Sequence, residues 1–202
     1  LIADLLAAQQ DDGSWNEWGT IDTTANAIAG LSFYKDREDV ALAIDKAVTY
    51  LSSQQKTTGA YDGGYGENSN STAMVIIGLA AAGINPDTDS RFIKNGKSLL
   101  DGLSSFALSD NSGFGYQNNS SKNDSSTEQS FRALIAAAQV MKTGKAYNVY
   151  DFSSNEVKPA RATGSAITET PSQPTGSDIT VSVTVKSDTE YWLNNYPVTI
   201  KG

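Results

Sequence analysis

Three nine-residue segments, TTANAIAGL (Thr23 to Leu31), STAMVIIGL (Ser71 to Leu79) and STEQSFRAL (Ser126 to Leu134), align with one another at shifts of 48 and 55 residues. Each carries Thr at its second position, Leu at its ninth, and Gly or Ala before that Leu. A repeat constrains the fold more than any single motif does. Each copy must build the same small unit, and the units must bury their faces against one another.

Upstream of each segment lies a turn rich in glycine and aromatic residues: DGSW (Asp12 to Trp15), GAYDGGYG (Gly59 to Gly66) and GFGY (Gly113 to Tyr116). Before each turn the pattern predicts another helix. It is clearest over Asp36 to Gln55, where Val40, Ile44, Ala47, Val48 and Leu51 form a stripe at helical spacing. Leu1 to Gln10 and about Asp89 to Leu108 read the same way, the latter with Phe92, Leu99, Leu100, Leu103 and Phe106 on its inner face. The unit is therefore helix, aromatic-glycine turn, helix, and three units occupy residues 1 to about 145. Ser71 and Ser126, or their Thr and Asn neighbours, stand where a helix N-cap is wanted, and Gly83 and Gly144 where a left-handed C-terminal residue is wanted. The second helix of each unit is small-sided, which suits a crowded inner layer.

After Tyr150 the composition changes. Residues 151–178 read as a linker rich in Pro, Ser and Thr, and residues 179–202 as the start of a small β domain. Its strands are ITVSVTV (Ile179 to Val185), with period-two alternation, and YPVTIK (Tyr196 to Lys201). Two strands alone are marginal in water, so a longer parent protein is expected, and LIADLLAAQQ at the start reads as helix rather than as a signal peptide.

Residue content excludes several chemistries. With no Cys and no His, the chain cannot form a disulfide, a thiolate nucleophile, a His-based triad or a zinc site of nitrogen and sulfur ligands. A net charge of -8 repels a phosphate backbone, which argues against nucleic acid as a partner. No apolar run approaches the roughly 20 residues needed to span a bilayer. No cofactor is implied by any motif.

The turns carry a resemblance. Leu6, Gln10, Gly13 and Trp15, then Leu51, Gln55, Gly59 and Tyr61, resemble the QW repeat of squalene-hopene and related terpenoid cyclases; the third copy departs, with Ser109 at the Gln position and Gly113-Phe114-Gly115-Tyr116 after it. With the repeated helices, this is similar to the α/α toroid shared by those cyclases, protein prenyltransferase β subunits and complement thioester domains. It implies a mainly α fold, a partial toroid of three helix pairs, with a short C-terminal β segment. The order of parts also resembles transcobalamin and intrinsic factor, and Gram-positive surface proteins with cyclase-like repeats.

The family's chemistries do not carry over with the fold. The cyclase Asp-x-Asp-Asp acid is missing, Asp87-Thr88-Asp89-Ser90 being the nearest stretch, and the Cys and His of the prenyltransferases and thioester domains are absent. The resemblance implies that Gln10, Gly13, Trp15, Gln55, Gly59 and Tyr61 are structural joints, and the pair Asp11 and Asp12 reads as a solvated turn. Trp18, Tyr65, Phe114 and Tyr116 are the candidate ligand-binding residues, because repetition brings turn aromatics to one edge of the array.

The expectation is a non-catalytic, extracellular or cell-surface bacterial scaffold for ligand binding or adhesion, taking a small molecule, a glycan or a protein. The alternatives are a cyclase-like enzyme whose acid lies outside this chain and a corrinoid binder of the transcobalamin kind. Apolar residues at both ends of the array, Leu1, Ile2, Leu5 and Leu6 at one and Phe131, Leu134 and Ile135 at the other, point to self-association or cover by other segments.

Overall fold

The structure is a computed structural model that describes residues 1–16, 20–153, 178–181 and 198–201. It divides into two units, Leu1–Ser154 and Asn155–Gly202. The first is helical: α1 (Ile2–Ala7), α2 (Thr20–Leu31), α3 (Glu38–Gln54), a hairpin of β1 (Tyr61–Asp62) and β2 (Glu67–Asn68), then α4 (Ser69–Ala82), α5 (Leu99–Ser104) and α6 (Asp124–Thr143). In the second, β3 (Asp178–Val181) pairs antiparallel with β4 (Val198–Lys201), with Ile179 opposite Ile200 and Val181 opposite Val198. The stretch from 154 to 177, most of the expected linker, lies outside the described residues.

Helix α3 follows its stripe. Val40, Ala43, Ile44, Ala47, Val48 and Leu51 are all buried, and each large apolar side chain removed from water in this way contributes about 1.5–3 kcal/mol. Helix α4 has no polar face to orient it, because Val75, Ile76, Ile77, Leu79, Ala73, Ala80 and Ala81 are buried all round. It is the central helix, packed between α2 and α6.

The small-sided helices α2, α4 and α6 run parallel. Their first turns meet where Ser71 of α4 hydrogen-bonds Asp22 of α2 and the Ser126 hydroxyl of α6 donates to Asn70 Oδ1 at 2.5 Å. Their last turns meet under a strap that follows Gly144. There Tyr147 N donates to Ala80 O (2.9 Å), and Asn148 Nδ2 donates to Ala29 O (2.7 Å) and Ser32 Oγ (2.9 Å). Ala80 O and Ala29 O lie in the last turns of α4 and α2, where Gly83 N and the Ser32 hydroxyl also donate to them.

The repeated Thr has one function in all three copies. Thr24, Thr72 and Thr127 accept from the backbone N–H of Trp15 (3.0 Å), Tyr61 (3.0 Å) and Phe114 (2.9 Å). The ring of each turn is thereby fixed to the helix that follows it. Trp15 Nε1 then donates back to Leu5 O (2.8 Å) and Tyr61 Oη to Leu51 O (2.6 Å), so the indole and the phenol close equivalent joints. Gly13 and Gly59 hold φ 92° and 88° in these turns, and Asn111 takes the same place in the third copy at φ 57°.

The glutamine of the first joint is Gln9, not Gln10. Gln9 Nε2 donates to Gly13 O (3.0 Å) and Ala43 O (2.8 Å), as Gln55 Nε2 donates to Gly59 O (3.1 Å) and Phe92 O (2.9 Å). Gln10 is exposed and bonds Ala8 O. In the third copy the corresponding backbone bonds run from Leu108 N to Gly113 O and from Asn111 N to Leu108 O, which puts Ala107, rather than Ser109, at the glutamine position.

Two other expectations are corrected. The helix predicted over about Asp89 to Leu108 is broken into a single 3-10 turn at Ser90–Phe92 and the short α5, because Asn95 and Gly96 take left-handed angles between them. Phe92, Leu99, Leu103 and Phe106 are buried all the same. The N-caps of α4 and α6 are Asn68 and Asn123, whose side chains accept from Ser71 N and Ser126 N. The two serines supply the amides that are capped.

Candidate functional site

The edge where the first turns of α2, α4 and α6 meet holds a cleft of about 400 Å³, lined by Asp22, Gly63, Tyr65, Asn68, Asn70, Ser71 and Tyr116. The loop between β1 and β2 forms one wall. Asp62 Oδ1 accepts from Gly64 N and Gly66 N (both 2.8 Å), which curls the loop and leaves Tyr65 at its tip, 86% exposed. Gly63 passes so close to the helix that a Cβ there would lie 2.2 Å from Ser71 Oγ and would push that hydroxyl aside. The segment carrying Tyr116, 37% exposed, forms the facing wall. Ser69 fixes it by donating from its backbone N to Tyr116 O (2.9 Å) and from its hydroxyl to Gly115 O (2.7 Å). Gln117 Nε2 donates to Tyr65 O and joins the two walls.

The floor is polar. Asp22 keeps one oxygen, Oδ1, enclosed and without a hydrogen-bond partner among the described residues. Burial pushes its carboxyl above the ordinary range, against the opposing pull of the Ser71 hydroxyl. Asn68 is committed to structure, its Oδ1 capping α4 and its Nδ2 donating to Gly66 O (3.0 Å). Asn70 accepts on Oδ1 from the Ser126 hydroxyl, which leaves its NH2 as a donor. No Lys or Arg lines the cleft among the described residues.

Of the four candidate ligand-binding aromatics, the structure brings two together: Tyr65 and Tyr116 line the same cleft. Phe114 stands elsewhere. It is 8% exposed, meets Phe131 edge to face at 6.3 Å, and occupies the joint position held by Trp15 and Tyr61 in the other copies. Trp18 lies outside the described residues. Asp22, Asn70 and Ser71 are absent from the sequence candidates, although the repeat marks two of them: Asp22 and Asn70, like Ser125, each precede a repeated Thr by two positions.

The acidic stretches of the sequence are used locally. Asp12 Oδ1 accepts from Ser14 N (2.9 Å) and Ser14 Oγ (2.7 Å), which stabilises the first turn and lowers the Asp12 carboxyl below its usual range. Asp87 accepts from Ser98 Oγ (2.9 Å), and Asp89 pairs with Arg91 at 2.8 Å. At the ends of the array Leu1 is fully exposed, and Ile2, Leu5, Leu6, Phe131, Leu134 and Ile135 are half-buried. No helix among the described residues is long and apolar enough to cross a membrane. No family model, curated protein or solved structure matches the chain.

Proposed function

We propose that the helical unit is an arc of an α/α toroid that serves, at a bacterial cell surface or outside the cell, as a non-catalytic scaffold for ligand binding or adhesion, with the cleft as its site. The toroid reading draws support from the three parallel small-sided helices and from joints that link each unit to an outer element of the next. The observation that carries the functional reading is the cleft itself. Two tyrosines that nothing in the core requires stand over a floor with an acceptor that has no partner among the described residues. Exposed rigid rings around a few fixed polar groups are a common form of binding site.

A single carboxyl, with no second acid or base beside it among the described lining residues, suits recognition better than paired acid and base chemistry. An isoprenoid in this cleft would leave its polar floor unpaired, at about 1–3 kcal/mol for each buried group. A screen of chemically diverse fragments against the isotopically labelled 202-residue chain tests the reading. Hits that shift the amides of Gly63 to Ser71 and of Tyr116 support it, and hits scattered over the surface with the cleft silent overturn it. Squalene, prenyl diphosphates and cobalamin should be neither turned over nor retained, as read by mass spectrometry.

A further inference from the structure

We infer that the cleft takes a neutral, hydroxyl-rich ring, a short stretch of saccharide, stacked on Tyr65 and Tyr116 with its hydroxyls on Asp22 and Asn70; this rests on the cleft being the binding site. The argument begins with charge. The protein carries a net charge of -8, and the cleft offers an acid and no cationic side chain among the described residues, so an anion is repelled. A cation would meet one carboxyl, and burial already disfavours the charged form of that carboxyl. A sugar hydroxyl needs no charge on Asp22. It donates to the oxygen that lacks a partner, and a neighbouring hydroxyl accepts from the Asn70 NH2.

The rings supply the other half of the recognition. The C–H face of a pyranose is weakly positive and suits the negative face of an aromatic ring, a contact that a purely polar floor cannot make. Tyr65 and Tyr116 approach from separate loops that Gln117 ties together, so the two loop backbones are held in place before any ligand arrives. The volume of about 400 Å³ lies near the lower end of the range of about 300–1,000 Å³ for small-ligand sites, which limits the fit to a short segment of a chain.

Titration of the labelled full chain with the neutral trisaccharides maltotriose, cellotriose, mannotriose and N,N′,N″-triacetylchitotriose, followed by NMR, tests the inference. Spermidine and inorganic phosphate serve as charged comparisons. At least one trisaccharide should give saturable shifts at the amides of Gly63 to Ser71 and of Tyr116. Tyr65→Ala should then weaken it about three- to tenfold, the value of one ring contact, without lowering the melting temperature, since Tyr65 is 86% exposed. Asp22→Ala, which removes the acceptor oxygen, should weaken it about tenfold, with retained chemical-shift dispersion showing that the fold is intact. Silence with every trisaccharide, or binding that neither variant weakens, overturns the saccharide assignment. If spermidine or members of the fragment screen occupy the cleft while the sugars do not, the site survives and its ligand class is wrong. If none of them does, the site itself is refuted.

Discussion

The three repeated threonines allow one interaction to be measured in three settings. Thr→Val keeps the shape and β-branching of the side chain and removes the oxygen that accepts from the aromatic N–H of the preceding turn. At Thr24 and Thr72, both fully buried, water cannot replace that oxygen, and the orphaned N–H of Trp15 or Tyr61 carries its full desolvation penalty, about 1–3 kcal/mol. Thr127 is only partly buried, so water can reach the Phe114 N–H and the cost should fall below about 1 kcal/mol. In a chain of this size about 1 kcal/mol moves the melting temperature by about 2–4 °C. Thr24→Val and Thr72→Val should therefore melt about 2–12 °C low, and Thr127→Val less than about 4 °C low. Urea unfolding followed by circular dichroism should give the same order, with unchanged slopes. A Thr127→Val cost equal to that of Thr72→Val would show that burial does not set the penalty. If all three variants lay within about 0.5 kcal/mol of the parent, the assigned role of the repeated Thr would be wrong.

Gln9→Ala should cost about 1–2 kcal/mol through two lost hydrogen bonds, whereas Gln10→Ala should stay within about 0.5 kcal/mol; equal effects in chemical denaturation would contradict the register of the first joint. Trp15→Ala should cost about 3–5 kcal/mol, because a buried ring and its bond to Leu5 O go together, and an unchanged melting curve would refute its place in the joint. Asp22→Asn should raise the melting temperature at neutral pH. Burial raises the folded-state carboxyl pKa above its unfolded value, so the parent loses stability as pH climbs from the unfolded value through the folded one. The advantage of the variant should close in acid below the ordinary carboxylate range, and an advantage that persists there would show that Asp22 is not the cause.

The unit of helix, turn and helix is legible because Thr, Leu and small residues recur at matched positions, and the Thr makes the same contact in every copy. The first glutamine was misplaced for a physical reason. Two glutamines stand side by side, and only the four-residue span to glycine, as in Gln55 to Gly59, lets Nε2 reach the turn carbonyl and the next outer element at once. Phe114 was misread as a rim residue because the third turn has one more residue between its left-handed position, Asn111, and its ring than the other turns have. The break before α5 was written as Asn95-Gly96, a strong turn signal that the apolar spacing of Phe92 and Leu99 outweighed. The cleft was half visible. Its tyrosines stand out in a glycine-rich turn, but Asp22 becomes notable only once folding encloses its oxygen, and no linear pattern reports that.

The glutamine ties also set an order of assembly. Gln9 waits for Ala43, which is 34 residues further along the chain, and Gln55 waits for Phe92, 37 residues further. A growing polypeptide therefore cannot complete one joint until much of the following unit has left the ribosome, and each newly made segment finishes its predecessor before it is itself finished. Ala107 makes no such demand on what comes after it.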